Sequence, residues 1–405
     1  MVTLQSAENA LKNVYLGVIS NQLNLVANPL LSMIKHSTSN IYGKEIRKAA
    51  PVGINGGFAA GAEDGKLPDP RSTKYVQFVA ELKNLYGQLE ISDKAIRATS
   101  NNITSFVNLL NDEMQRLIEA GNFNLGRMIY GMGSGEVFSV TEINESEKSL
   151  VVDIPGNVVE GMPLILRGYD GTFSDDAGVY MVEYVDKANA KVYLDKANFS
   201  SYKIGAGTKA YIPNSKDKEI TGIEALFSIN SYYGLNKTDY KWLNPYKRNS
   251  GKVYISDTLI QEGIDAVEMT SGSRINYIAT DVGTKRVYQE YLSAYRRNVD
   301  IAELAGGYKT ITYNGIPVVG EKHVKSGVMY LLNTNDFTMY QLCDWKWLED
   351  ESGRILRQNP GYATYTATLV KYCELLCERP CGQGKIMQIA KTLTPPSDDS
   401  SGSDA

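Results

Sequence analysis

The chain has 405 residues, more than one ordinary domain, so two or three packed units are expected. With 43% hydrophobic and 22% charged residues it has apolar area for real cores, which excludes bulk disorder. A net charge of -4 and a pI of about 5.5 exclude attachment to nucleic acid through a global basic field, and two histidines, His36 and His323, exclude enzymes that need a histidine cluster.

Met1 to Asn24 lack the basic start and cleavage site of a signal peptide, and no apolar run is long enough to span a bilayer, so the chain reads as made in the cytoplasm with no membrane partner. Three of the four cysteines crowd between Cys373 and Cys381, which is no spread disulfide framework. Tyr, at 27 against nine Phe, suits polar-tipped packing between subunits. Neither histidine sits beside a nucleophile motif such as G-x-S-x-G, and each reads as an ordinary surface or core histidine.

Residues 1–40 show loose helical spacing (Leu4, Ala7, Leu11, Val14) until Asn28-Pro29 stops it, the pattern of an arm. In residues 41–97, strand-like stretches at Ile41 to Ala50 and Tyr75 to Ile91 are joined by PVGINGGFAAGAEDGKLPDPRST, far longer than a tight turn. Such a hairpin projects with unpaired edges, which a monomer avoids unless a neighbour covers them. Residues 98–136 carry the clearest helix, opened by Thr99 to Asn102 as capping candidates. Ile103, Phe106, Val107, Leu110, Met114, Leu117 and Ile118 form one apolar stripe, and the helix is expected to end near Gly121, after about 30 Å.

Residues 137–218 change to short β-like runs (Leu150 to Ile154, Pro163 to Leu166, Val179 to Val185, Val192 to Leu194, Lys209 to Ile212), the pattern of a small barrel or sandwich. This stretch holds nine Lys/Arg against twelve Asp/Glu, so most of the net negative charge lies in it. It reads as an insertion on an exposed face. From 219 to 395, strands are expected at Val253 to Ile255, Tyr277 to Ala279, Lys309 to Tyr313, Ile316 to Val319 and Val328 to Leu332. Helices are expected from Asp257 to about Met269 and from Asp281 to Tyr295. The acidic tail, residues 396–405, is Ser- and Asp-rich and reads as disordered.

Chemistry-bearing motifs fail in specific ways. The glycines before Lys66 lack the phosphate-loop spacing, with Ala60 and Leu67 at the required Gly and Ser/Thr places, and Pro68-Asp69-Pro70 forbids the helix that should follow. Gly131, Gly133 and Gly135 meet Glu136 where a dinucleotide fingerprint needs glycine, and read as a turn leaving the helix. Cys373, Cys377 and Cys381, with Cys343 as a fourth, lack the C-x-x-C pairs of zinc sites; small buried hydrophobes are the plainer reading. Lys241, Trp242, Tyr246, Lys247 and Arg248, followed by Lys252, are a candidate DNA-facing patch or an interface loop.

The order of arm, Gly-rich hairpin (Gly53, Gly56, Gly57, Gly61, Gly65, Lys66-Leu67-Pro68) and long helix resembles the HK97-fold major capsid proteins of tailed bacteriophages. SDTLIQEGIDAVEMTSGSRINYIATDVGTKRVYQEYL resembles that family's helix, turn, strand, helix run, and KTITYNGIPVVGEKHVKSGVMYLLNTNDFTMYQ its strand, turn, strand sequence. The resemblance spans about nine tenths of the chain in element order and rests on no single diagnostic motif.

It implies an α+β HK97-like capsid fold with an inserted β-barrel or sandwich. Residues 1–40 would be the N-terminal arm, 41–97 the extended loop and 98–136 the spine helix of a peripheral domain. Residues 137–218 would be the insertion, 219–256 a peripheral return, 257–340 the axial domain and 341–395 peripheral C-terminal strands. Ile54, Asn55, Gly56, Gly57, Phe58, Lys66, Leu67, Pro68 and Arg71 would then lie on a loop laid across a neighbour. The implied function is structural and non-enzymatic: self-assembly into pentamers and hexamers of an icosahedral virion capsid enclosing double-stranded DNA, with no cofactor or metal. Implied partners are further copies of the chain, a separate scaffolding protein, a portal, decoration proteins on an outward insertion, and packaged DNA held non-specifically. Some members cross-link Lys to Asn beside a carboxylate, for which Lys66, Asn359 and Glu349 or Glu351 supply the residue types. The competing readings are a non-enzymatic interaction protein with a glycan-binding β domain, and an enzyme built on a carboxylate pair.

Overall fold

A computed structural model describes residues 28–392, except 54, 62, 64, 66, 68, 95–102, 169–177, 296–300, 305–307 and 352; for residues 103–112, 295, 301–304 and 308–309 the backbone alone is described. The arm before Asn28 and the acidic tail lie outside the described residues.

Asn28 caps the short helical turn Pro29–Met33 by accepting the Leu30 N–H at 2.8 Å, and Lys35–Ser37 then pairs in parallel with Thr338 to Tyr340. Strands β1 (Glu45–Val52) and β2 (Lys74–Glu81) form the hairpin, in unbroken antiparallel register from Glu45 opposite Glu81 to Val52 opposite Lys74. Alternation buries Ile46, Ala50, Phe78 and Ala80 on one face and leaves Tyr75 and Val79 outward. The expected single strand from Tyr75 to Ile91 is in fact two. At Leu82, whose N–H donates to Lys44 O, the chain leaves the hairpin, and β3 (Lys83–Ser92) joins a different sheet.

Helix α1 (Ile103–Tyr130) runs 28 residues, about 42 Å, straight through Gly121, where the sequence had placed its end. A helical glycine costs about 1 kcal/mol. The turns beyond it bury Leu125, Ile129 and Tyr130 at about 1.5–3 kcal/mol for each full burial, so packing outweighs propensity. Arg127, on the same turns, makes a two-pronged buried ion pair with Glu219 at 2.9 and 2.5 Å.

The insertion is a closed six-stranded barrel of β4 (Glu136–Asn144), β5 (Ser149–Val152), β6 (Pro163–Arg167), β7 (Tyr180–Asp186), β8 (Lys191–Leu194) and β9 (Lys209–Tyr211), in the order β8-β5-β4-β9-β6-β7. Closure removes exposed edges. The barrel has its own core, with Phe138, Leu150, Leu164, Tyr180, Val192 and Phe199 almost fully buried. Sequence patterning missed β4 because its alternation breaks at a register shift between Val140 and Glu142.

The chain then forms β10 (Tyr246–Asn249), α2 (Asp257–Ser271), β11 (Tyr277–Thr280), α3 (Val282–Tyr295), β12 (Ile301–Leu304), β13 (Tyr308–Tyr313), β14 (Ile316–Gly320) and β15 (Met329–Leu332). Ser256 caps α2 through the Leu259 N–H. Asn314 (φ 48°) and Gly315 (φ 80°) make the two-residue turn between β13 and β14, where both positions need the left-handed region that Asn and Gly tolerate. Two long antiparallel strands follow, β16 (Phe337–Trp347) and β17 (Thr364–Cys377), with β3 on the far side of β17.

The last strand, β18 (Gly384–Met387), returns to a seven-stranded sheet ordered β10-β18-β15-β11-β14-β13-β12. The expected strand at Val253 to Ile255 is absent; β10 lies earlier and pairs in parallel with β18. This sheet therefore draws strands from 219–256 and 341–395 as well as from 257–340.

Many tyrosines are interior and not at the surface that composition suggested. Tyr180, Tyr232, Tyr277, Tyr288 and Tyr340 are fully buried. Their hydroxyls tie elements together: Tyr180 to Asn198 at 2.8 Å, Tyr288 to Asp257 at 2.8 Å and Tyr340 to Glu378 at 2.9 Å.

Candidate assembly surface

The hairpin carries its apolar residues outward at the tip. Phe58 is 97% exposed and Leu67 83%, and Tyr75 also stands in solvent at the loop's return. These are the large apolar side chains that the described part of the loop leaves in solvent. The loop is nonetheless folded upon itself. Asn55 Oδ1 accepts the Gly57 N–H at 2.8 Å in an Asx turn, and Gly56 and Gly57 lie against Arg71. Ile54, Lys66 and Pro68, also expected in this loop, lie outside the described residues. Of the helix stripe, Met114 and Ile118 are buried and Leu117 is partly so; the side chains of Ile103, Phe106, Val107 and Leu110 lie outside the described residues.

The barrel is seated on the segment 321–325. A Cβ at Gly156 would stand 1.8 Å from Lys322 O, so only glycine permits this approach. Next to it, Asn157 Nδ2 donates to Val137 O at 2.7 Å, which turns Asn157 Oδ1 toward His323 Nδ1 at 2.9 Å. Burial first, then the charges of Lys322 and Arg127, push the His323 pKa down to about 3. The imidazole is therefore neutral, and its Nδ1–H donates to Asn157 Oδ1. The Phe123 ring of α1 meets His323 edge-on at 5.3 Å, and Lys325 pairs with Asp153 at 3.0 Å. No sequence signal marked His323 as the joint between barrel, helix and sheet.

Two buried carboxylates brace the same body. Glu321 accepts the Asn28 amide at 3.2 Å, and burial raises its pKa to about 7. Glu374, on β17, accepts the N–H groups of Thr221 at 2.6 Å and Leu375 at 3.0 Å, and burial again raises it to about 7. Between α1 and β3 lies a cleft of about 780 Å³ whose lining includes Trp345, Leu369, Lys83, Lys218 and Glu219.

The patch at 241–248 divides. Trp242 is partly buried and packs edge-on against Phe78 at 6.1 Å, with its indole nitrogen away from solvent. Tyr246 packs on the core of the seven-stranded sheet, and Arg248 pairs with Glu262. Lys241 and Lys247 instead line a polar cleft.

Cys373 and Cys377 are buried four residues apart on β17, about 13 Å along a strand, too far to share one ion. Among the described residues no three His, Cys, Asp or Glu side chains group to hold a metal, and no helix is long and apolar enough to cross a membrane. Asn359 is held by Glu90 at 3.1 Å and by Thr364 and Thr366, a carboxylate partner the sequence did not single out.

A projecting hairpin, a long helix, a closed inserted barrel and a seven-stranded sheet backed by helices together have the HK97-type fold of phage capsid chains. No family model and no curated protein matches the sequence. Among solved structures, the chain is similar to a chain of the Cyanophage A-1(L) capsid asymmetric unit, with a TM-score of 0.54 and 11% identity over 90% of this chain and 93% of that one. It is also similar to the holo-SrpI encapsulin complex from Synechococcus elongatus PCC 7942 (TM-score 0.46, 9% identity, 91% and 89% covered). A third is the capsid of Myoviridae Phage XM1 (TM-score 0.44, 8% identity, 88% and 90% covered). The fold assignment rests on the first of these.

Proposed function

We propose that this chain is the major capsid protein of a tailed bacteriophage, a structural subunit that acts by assembly and not by turnover. The observation that carries the reading is the hairpin tip, where a folded loop holds Phe58 almost entirely in solvent. Burying Phe58 and Leu67 against a neighbour would gain about 1.5–3 kcal/mol each. A loop laid on a different surface of the next subunit is a heterologous contact, which closes into rings when the rotation fits.

In this reading the loop from Ile54 to Arg71 overlaps the adjacent subunit and α1 is the spine. The seven-stranded sheet, with α2 and α3, is the axial domain that meets at five- and six-fold vertices of an icosahedral shell around double-stranded DNA. The barrel stands on the outer face, where it meets neighbours or decorating proteins. Assembly takes place in the host cytoplasm with a scaffolding protein and a portal. Shell maturation is a rigid-body reorientation of these units, taken up in loops and helix bending. Analytical ultracentrifugation of the purified chain tests the proposal: capsomer- or shell-sized species are expected, and a monomer at every concentration would contradict it.

A further inference from the structure

The short helix Ile223–Ser228 ends in a cleft of about 420 Å³ whose lining includes Lys237, Lys241, Lys247, Asn230, Thr238 and Asn244, and no carboxylate. Two of the lysines meet the helix's last carbonyls: Lys237 Nζ donates to Leu226 O at 2.5 Å and Lys247 Nζ to Phe227 O at 2.8 Å. One lysine at a helix C-terminus is an ordinary cap, worth about 0.3–1 kcal/mol. Two held on successive carbonyls satisfy two of the helix's orphan acceptors and at the same time bring two ammonium groups into mutual repulsion. Burial, with Lys247 adding to it, lowers the Lys237 pKa to about 8, and no carboxylate offsets that shift. Each ammonium has three N–H donors, of which the carbonyl takes one. Asn244 Nδ2 donates to Lys237 O and Lys241 O at 3.1 and 3.0 Å, which fixes the turn that presents Lys241.

We propose that this cleft binds a phosphate group, with Lys237, Lys241 and Lys247 as its cationic ligands and the amides and hydroxyls of the lining as further partners. A tetrahedral dianion with several acceptor oxygens matches the neighbouring ammonium groups of Lys237 and Lys247, relieves their repulsion and leaves an oxygen for Lys241 on the same lining. The site shares Lys241 and Lys247 with the patch read from the sequence and adds the buried Lys237, while Trp242, Tyr246 and Arg248 do not line it. It stands on the cleft alone and does not depend on the capsid reading. The phosphate is either free in solution or part of a nucleic-acid backbone.

The test titrates the full chain with inorganic phosphate by calorimetry, and with a short labelled DNA duplex by fluorescence anisotropy at low and high salt. Lys241→Gln, which touches neither helix carbonyl, should weaken phosphate binding by about tenfold without changing the melting temperature, and Lys237→Gln with Lys247→Gln should abolish it. Lys346→Gln, an exposed lysine on β16, should change nothing. Duplex binding displaced by inorganic phosphate identifies a backbone phosphate as ligand; binding of inorganic phosphate without duplex binding identifies the free anion. Unchanged affinity in Lys241→Gln and the double variant, with melting preserved, would overturn the proposal.

Discussion

The barrel and the hairpin are both excursions from the same body, yet their surfaces are resolved in opposite ways. The barrel closes its own edges and is seated by buried contacts: Gly156 on the Lys322 backbone, Asn157 on His323, and Phe123 beneath them. The hairpin buries its base through Ile46, Phe78 and Ala80 and leaves Phe58 and Leu67 in water. One excursion buries its apolar side chains within the chain, and the other leaves two of its largest exposed at its tip. The same contrast separates what should disturb folding from what should disturb assembly.

The largest effect is expected from deleting Asn55 to Gly65. The shortened chain should keep its circular dichroism and melting temperature and lose shells altogether in electron micrographs; normal shells would remove the loop from the interface. Gly156→Ala should do the reverse. Its methyl group cannot fit against the Lys322 carbonyl, so stability should fall by about 1–3 kcal/mol, or more if the barrel unseats, as read by thermal melting. Phe58→Ala should leave melting unchanged and weaken assembly by about thirtyfold, a loss of about 2 kcal/mol at a central apolar anchor. Equal losses in both measurements would mean that Phe58 supports the fold instead.

A smaller effect distinguishes the buried titrating groups. Glu374 is raised from 4.5 to about 7, so the stability it contributes is complete below pH 4.5 and is lost as pH rises through 7. His323 is lowered from 6.5 to about 3, so its contribution is complete above pH 6.5 and is lost as pH falls toward 3. Glu374→Gln keeps an oxygen for the Thr221 and Leu375 N–H groups and should raise the melting temperature by about 2 °C at alkaline pH, with no gain below pH 4.5. A gain of equal size at every pH would show that the charge is not its cause.

Local chemistry was legible in the sequence. The apolar stripe ending in Met114, Leu117 and Ile118, the Asn314-Gly315 turn and the short runs of the barrel each carry their cause within a few residues. What escaped depends on distant partners. Nothing near Gly121 states that α1 continues; the reason is Glu219 and the core beyond it. The pairing of β10 with β18 joins segments more than a hundred residues apart, and Leu82 looks like any strand residue until Lys44 takes its N–H. At the candidate surface, the outward apolar loop could be anticipated. The inward turn of Trp242 could not, because Phe78 decides it.

The most direct measurement is cryo-electron microscopy of the purified, assembled chain. The expected result is a closed shell in which density for residues 55–71 lies on the adjacent subunit, with Phe58 buried in that contact. A shell whose loop remains in solvent, or a preparation that stays monomeric at every concentration imaged, would contradict it.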